Sequence, residues 1–93
     1  MDSLISLQGE VALVTGGSRG IGRSIVEMLG KAGATVVGTA TSEKGAQAIS
    51  AYLAEAGYAG KGVVLNVTDK ASIEQVVKSV SEEFGAITVL VNN

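Results

Sequence analysis

The stretch "EVALVTGGSRGIG", residues 10–22, decides the fold. A short run rich in valine, "VALVT" (11–15), passes without a polar break into a loop that holds four glycines in seven residues (16–22). The loop then enters a helical pattern in which Ile21, Ile25, Met28 and Leu29 recur at i, i+4, i+7 and i+8. A strand that is apolar nearly throughout is covered on both faces, as in a parallel sheet. A glycine loop leading from such a strand into a helix strips Cβ atoms from backbone that something else must approach closely.

The same alternation continues outward. "TVVGTA" (35–40), "GVVLNV" (62–67) and "ITVLV" (87–91) are further short β-branched runs. Between them lie two more helical stripes, an alanine-rich one at Ala46, Ile49, Leu53 and Ala56, and a cleaner one at Ile73, Val76, Val77, Val80 and Phe84. Gly33, Gly57 and Gly85 each follow a stripe, where a helix C-terminus favours a left-handed residue. Thr68 or Asp69 caps the third helix. The chain has no proline, linker or low-complexity tract. Strands alternating with helices predict an α/β unit with a parallel sheet. Right-handed crossovers then fix most of the topology: with the strand order 3-2-1-4, the first two helices cover one face and the third crosses to the other. That is the first half of a doubly wound Rossmann fold, whose ligand mouth lies at the switch point between the first and fourth strands. The complete fold joins two such halves, so residues 1–93 read as the N-terminal half of a single domain, with an apolar edge at the fourth strand.

Composition narrows the chemistry. Of 93 residues 46% are hydrophobic, the formal net charge is -2, and neither cysteine nor histidine occurs. Disulfides, thiolates, cysteine-held metals and imidazole bases are thereby excluded for this segment, and no global charge favours nucleic acid. No apolar run approaches the ~20 residues that span a bilayer, and "MDSLISLQGE" (1–10) has no signal-peptide pattern. A protein of a reducing compartment, without nucleic-acid or membrane partners, is expected.

The loop itself has the spacing T-G-x-x-x-G-x-G at Thr15, Gly16, Gly20 and Gly22. Backbone N–H groups of such a loop, with the helix N-terminus behind them, reach a phosphate unobstructed. The pattern is not G-x-G-x-x-G, and it lacks the lysine of a P-loop. This spacing resembles the cofactor loop of the short-chain dehydrogenase/reductase family over the whole chain, and "NN" (92–93) is similar to the start of that family's Asn-Asn-Ala-Gly stretch. "VALVTGGSRGIG", "GTATSEKGAQAIS" and "LNVTD" together resemble, more narrowly, the bacterial β-ketoacyl-acyl-carrier-protein reductases of fatty-acid biosynthesis.

The resemblance implies that Gly16, Gly17, Ser18 and Arg19 wrap the adenosine side of a dinucleotide, that Ile21 lies near its pyrophosphate, and that Gly20 and Gly22 belong to the same cofactor-binding loop, with close helix–strand packing as the alternative for Gly22. It implies that Asn66 and Val67 meet adenine, the Asn66 amide accepting where many members carry aspartate, and that Asn93 approaches the nicotinamide ribose. An NAD-selective site places an acidic residue about 20 positions past the loop, whereas residues 38–42 ("GTATS") are uncharged. That leaves room for a 2′-phosphate, with Arg19 as charge-assisted donor and the Thr41 hydroxyl as a neutral one; NADPH is the expected cofactor.

Glu43, Lys44, Glu74, Lys78, Glu82 and Glu83 read as solvated helix surface. Tyr52 and Tyr58 lack a lysine at Tyr-x-x-x-Lys spacing, positions 56 and 62 being alanine and glycine, and are expected to be non-catalytic. The resemblance puts the catalytic tyrosine, lysine, serine and asparagine beyond residue 93. It implies a cytoplasmic homotetramer that reduces an acyl-carrier-protein thioester. A family member acting on a steroid, sugar or polyol is one alternative, and a non-catalytic nucleotide-sensing module is another.

Overall fold

A computed structural model describes residues 6–93. Along the chain run β1 (Val11–Val14), α1 (Gly20–Lys31), β2 (Thr35–Ala40), α2 (Glu43–Ala56), β3 (Gly60–Val64), α3 (Lys70–Phe84) and β4 (Val89–Val91). The four strands form one parallel sheet in the order β3-β2-β1-β4, the order expected of the first half of a doubly wound fold.

Alternation along β1 divides the interior. Ala12 and Val14 point with Val36 and Ala40 of β2 toward α1 and α2, and meet Val26, Ile49, Tyr52 and Leu53. Val11 and Leu13 point with Val37 to the opposite face, where Val80 of α3 is buried against them. All four residues of β1 are buried, which accounts for its unbroken apolar composition.

β1 ends one residue short of the apolar run, at Val14, and β3 and β4 differ more from the periodicity, both for reasons of pairing. β3 begins at Gly60, opposite Val36, and stops at Val64, opposite Ala40, because β2 ends there. Residues 66–67 therefore leave the ladder, and the Asn66 side chain turns the chain by accepting from Thr68 N–H. β4 begins at Val89 because the Thr88 hydroxyl, not a carbonyl, accepts from Val11 N–H at 3.1 Å.

Helix ends follow local chemistry. Ser42 caps α2 by accepting from Gly45 N–H at 3.1 Å. Asp69, rather than Thr68, caps α3, accepting from Ala71 N–H at 3.0 Å. Gly57 ends α2 in the left-handed region at φ 78°. In α1 the contacting face is not the large apolar stripe. Gly22, Val26 and Gly30 are buried, Ile25 and Leu29 pack partly beside them, and Ile21 and Met28 are exposed. Gly30 rests against the Tyr58 ring, so the helix turns its slimmest face to its neighbours. In α2, Tyr52 is buried and Ala56 exposed.

Candidate functional site

The carboxyl ends of the strands open on a cleft of about 430 Å³ at the β1–β4 switch point. Thr15, Gly16 and Ser18 form one wall, Thr39, Ala40 and Thr41 the next, and Leu65 with Val67 the third; Asn92 and Asn93 close it. A second depression of about 350 Å³ shares Ser18, Ala40 and Thr41 with the cleft and adds Arg19, Ser42, Lys44, Gly45 and Ala48. The two form one groove. Among the described residues its lining contains two cations, Arg19 and Lys44, and no carboxylate.

The loop from 15 to 19 is tied to three elements. Gly16 N–H donates to the Thr39 hydroxyl at 3.2 Å, and Gly17 N–H donates to the Thr39 carbonyl at 2.8 Å. From the β4 side, Thr15 N–H donates to the Val91 carbonyl, and Asn93 N–H donates to the Thr15 hydroxyl at 2.9 Å. From α2, the buried Tyr52 hydroxyl donates to the Gly17 carbonyl. Gly16 in this loop and Gly22 in the first turn of α1 each have a physical reason to lack a side chain. Gly16 lies at φ 71°, a conformation that side chains resist. A Cβ on Gly22 would stand 1.9 Å from the Gly16 carbonyl oxygen and 2.8 Å from Asn93 Nδ2.

Arg19 is the N-cap of α1 and makes no side-chain capping bond, and the first turn of α1 holds no acidic residue. An arginine has no acceptor to offer the first N–H groups of a helix, so unlike α2 and α3 this helix presents an uncapped positive end beside the groove. That end, two cations and glycine-stripped backbone suit a phosphate-bearing ligand. The cleft has no imidazole, carboxylate or phenol in its lining, so what it offers is anion binding and neutral hydrogen bonding.

The sequence-derived site residues are gathered unequally. Gly16, Ser18, Thr41, Val67 and Asn93 line the cleft, and Arg19 stands in the adjoining depression. Gly17 is buried beneath the loop and Gly20 opens α1. Ile21 is 74% exposed and lines neither depression. The Asn66 amide oxygen accepts from both Thr68 N–H at 3.0 Å and the Thr68 hydroxyl at 2.7 Å, and the residue lies outside the lining. The Asn93 amide donates to the Gly16 carbonyl at 3.3 Å. Lys44, Thr39 and Tyr52 escaped the sequence reading. Lys44 sits in the first turn of α2, where charge ordinarily means solvated surface. Thr39 and Tyr52 reach the loop only through tertiary contacts, although a phenol on an otherwise apolar helix face was a signal that a buried acceptor awaited it. Burial pushes the Tyr52 phenol up to about 12, the Arg23 guanidinium opposing the shift and Glu27 reinforcing it.

Comparison with known proteins identifies the family. The sequence profile of the short chain dehydrogenase family matches residues 10–93. The chain is 62% identical over 87 residues to the 3-oxoacyl-[acyl-carrier-protein] reductase FabG of Haemophilus influenzae, covering 94% of this chain and 35% of that protein. Against the protein of the same name from Escherichia coli K12 it is 60% identical over 89 residues, covering 96% of this chain and 35% of that protein. Against that of Pseudomonas aeruginosa it is 46% identical over 89 residues, covering 96% and 36%. The chain thus spans about a third of the length of these relatives.

Proposed function

This chain belongs to the short-chain dehydrogenase family, and on that premise we propose that it is the N-terminal, cofactor-binding half of a single domain in an NADPH-dependent reductase of β-ketoacyl-acyl-carrier-protein thioesters. The observation that carries the choice of cofactor is the groove beside Ser18 and Thr41, where Arg19 and Lys44 stand without any acidic lining residue. A ribose 2′-phosphate is attracted there, whereas the carboxylate that bonds a free 2′-hydroxyl in NAD-selective sites is missing. The glycines at 16 and 22 leave the backbone bare for the nucleotide, and Ser18 and the α1 N-terminus supply N–H donors.

NADPH, when bound, supplies the hydride that turns the β-ketone into a β-hydroxyl. The substrate assignment is supported by the identity to proteins named for that reaction. The proton donor and the acyl pocket belong, on this reading, to residues beyond 93, and the intact protein is a cytoplasmic homotetramer.

The test is a rate panel on the full-length protein, with acetoacetyl-acyl-carrier-protein, an acetoacetyl ester of a small thiol, a steroid and a polyol, each with NADPH and NADH. Acyl-carrier-protein substrate with NADPH is expected to give the highest kcat/KM. A steroid or polyol as best substrate refutes the substrate class, and nucleotide binding without turnover on any of them points to a sensing module.

A further inference from the structure

We propose that Tyr52 is a positioning residue of the cofactor loop, whose hydroxyl holds the Gly17 carbonyl inward and so turns the Ser18 N–H outward to meet a nucleotide phosphate. The inference rests on the reading of the groove as an NADPH site.

Tyr52 lies on the inner face of α2 and is only 8% exposed. Its hydroxyl crosses to the glycine loop and donates to the Gly17 carbonyl at 2.5 Å. The N–H of the same residue donates to Thr39 of β2. The two peptide groups flanking Gly17 are thus held by different elements, one by the sheet and one by α2. No cis peptide bond occurs among the described residues, and in a trans peptide the C=O and the following N–H point in opposite directions. With the Gly17 carbonyl drawn toward Tyr52, the Ser18 N–H faces the other way, where Ser18 lines both depressions of the groove. Among the described residues that N–H donates to no protein acceptor.

The tyrosine is itself held in place. The Arg23 guanidinium lies 4.5 Å from the ring centroid and pairs with Glu27 at 3.4 Å one turn along α1. A cation over the ring restrains its orientation. Burial pushes the phenol further up from its ordinary value, so the hydroxyl remains a donor at neutral pH. A phenylalanine would fill the same space and accept the same cation, so packing alone does not require the hydroxyl.

The experiment uses the full-length protein and its Tyr52→Phe variant, with NADPH dissociation constants, steady-state kinetics and melting temperatures in the absence of nucleotide. Tyr52→Phe is expected to raise the NADPH Kd about 3- to 10-fold, the equivalent of one neutral hydrogen bond. At saturating NADPH its kcat should stay within about twofold of the parent. A purely structural hydroxyl would lower the melting temperature and leave Kd unchanged, and that result overturns the inference. A parent that binds neither NADPH nor NADH removes the cofactor reading, and the inference with it. Should the variant not fold, amide exchange on the parent decides. Saturating NADPH is expected to slow exchange at Ser18 by about tenfold or more; an unprotected Ser18 amide overturns the proposal.

Discussion

Arg19 occupies a position that helices ordinarily give to serine, threonine, aspartate or asparagine. Having no acceptor, it leaves the start of α1 without a side-chain cap. If the Arg19 guanidinium binds a 2′-phosphate, its removal costs about 1.5–3 kcal/mol, roughly 10- to 150-fold in affinity. Arg19→Ala is therefore expected to weaken NADPH by that factor while NADH binding hardly changes, and Thr41→Asp to move preference toward NADH by placing a carboxylate on the shared wall. Titration of both cofactors against both variants checks this; equal losses in Arg19→Ala would mean that the arginine serves the loop and not the phosphate. Arg19 and Thr41 were legible in the sequence because one departs from a glycine run and the other directly follows a strand at the distance where an acid is otherwise expected. Lys44 was not. Only the fold of the Ser42 cap brings the first turn of α2 beside Arg19.

At the scale of elements, α1 shows that the apolar stripe of a helix need not be its packing face. Its tightest contact is Gly22, whose hydrogen occupies the place where a methyl would strike the Gly16 carbonyl. Gly22→Ala must displace backbone rather than a flexible side chain. We expect it to cost ~1–3 kcal/mol or more of stability and to break the Asn93–Gly16 bond that closes the cleft. Met28→Ala, on the exposed side of the same helix, should stay within about 0.5 kcal/mol of the parent. Denaturant midpoints of the two variants compare the faces directly, and a Met28 loss as large as that of Gly22 would contradict the packing described. The sequence placed the helix correctly and its inward side incompletely, because periodicity is counted on large side chains and two of the three buried positions are glycines.

For the whole molecule, the sheet is covered unevenly. On the α1–α2 face the β4 residues Val89 and Val91 pack against the core. On the other face α3 buries Val80 over β1 and β2, but Leu90 of β4 is 66% exposed and Ile73 and Val77 of α3 remain partly bare. β4 is also an edge strand, with unpaired backbone groups along its outer side. Prepared as these 93 residues alone, the polypeptide is expected to self-associate with concentration, and Leu90→Lys to reduce that association. Sedimentation at several concentrations reads both, and a monodisperse, cooperatively unfolding monomer would contradict the expectation.

Strand and helix identity follow from local pattern, and the placement of the groove follows from the strand order of a doubly wound fold. Apolar runs bounded by glycine define the strands, and right-handed crossovers decide which face each helix covers once the strand order is given. Tertiary structure alone decided which atoms meet across that frame. It ended β3 at Val64 because β2 had no further residue to pair, and it set the Asn66 amide on Thr68. It brought Tyr52 to Gly17 across 35 positions of sequence. Contacts of that kind have no period and no spacing, since they depend on where two elements lie in space once the core has packed between them.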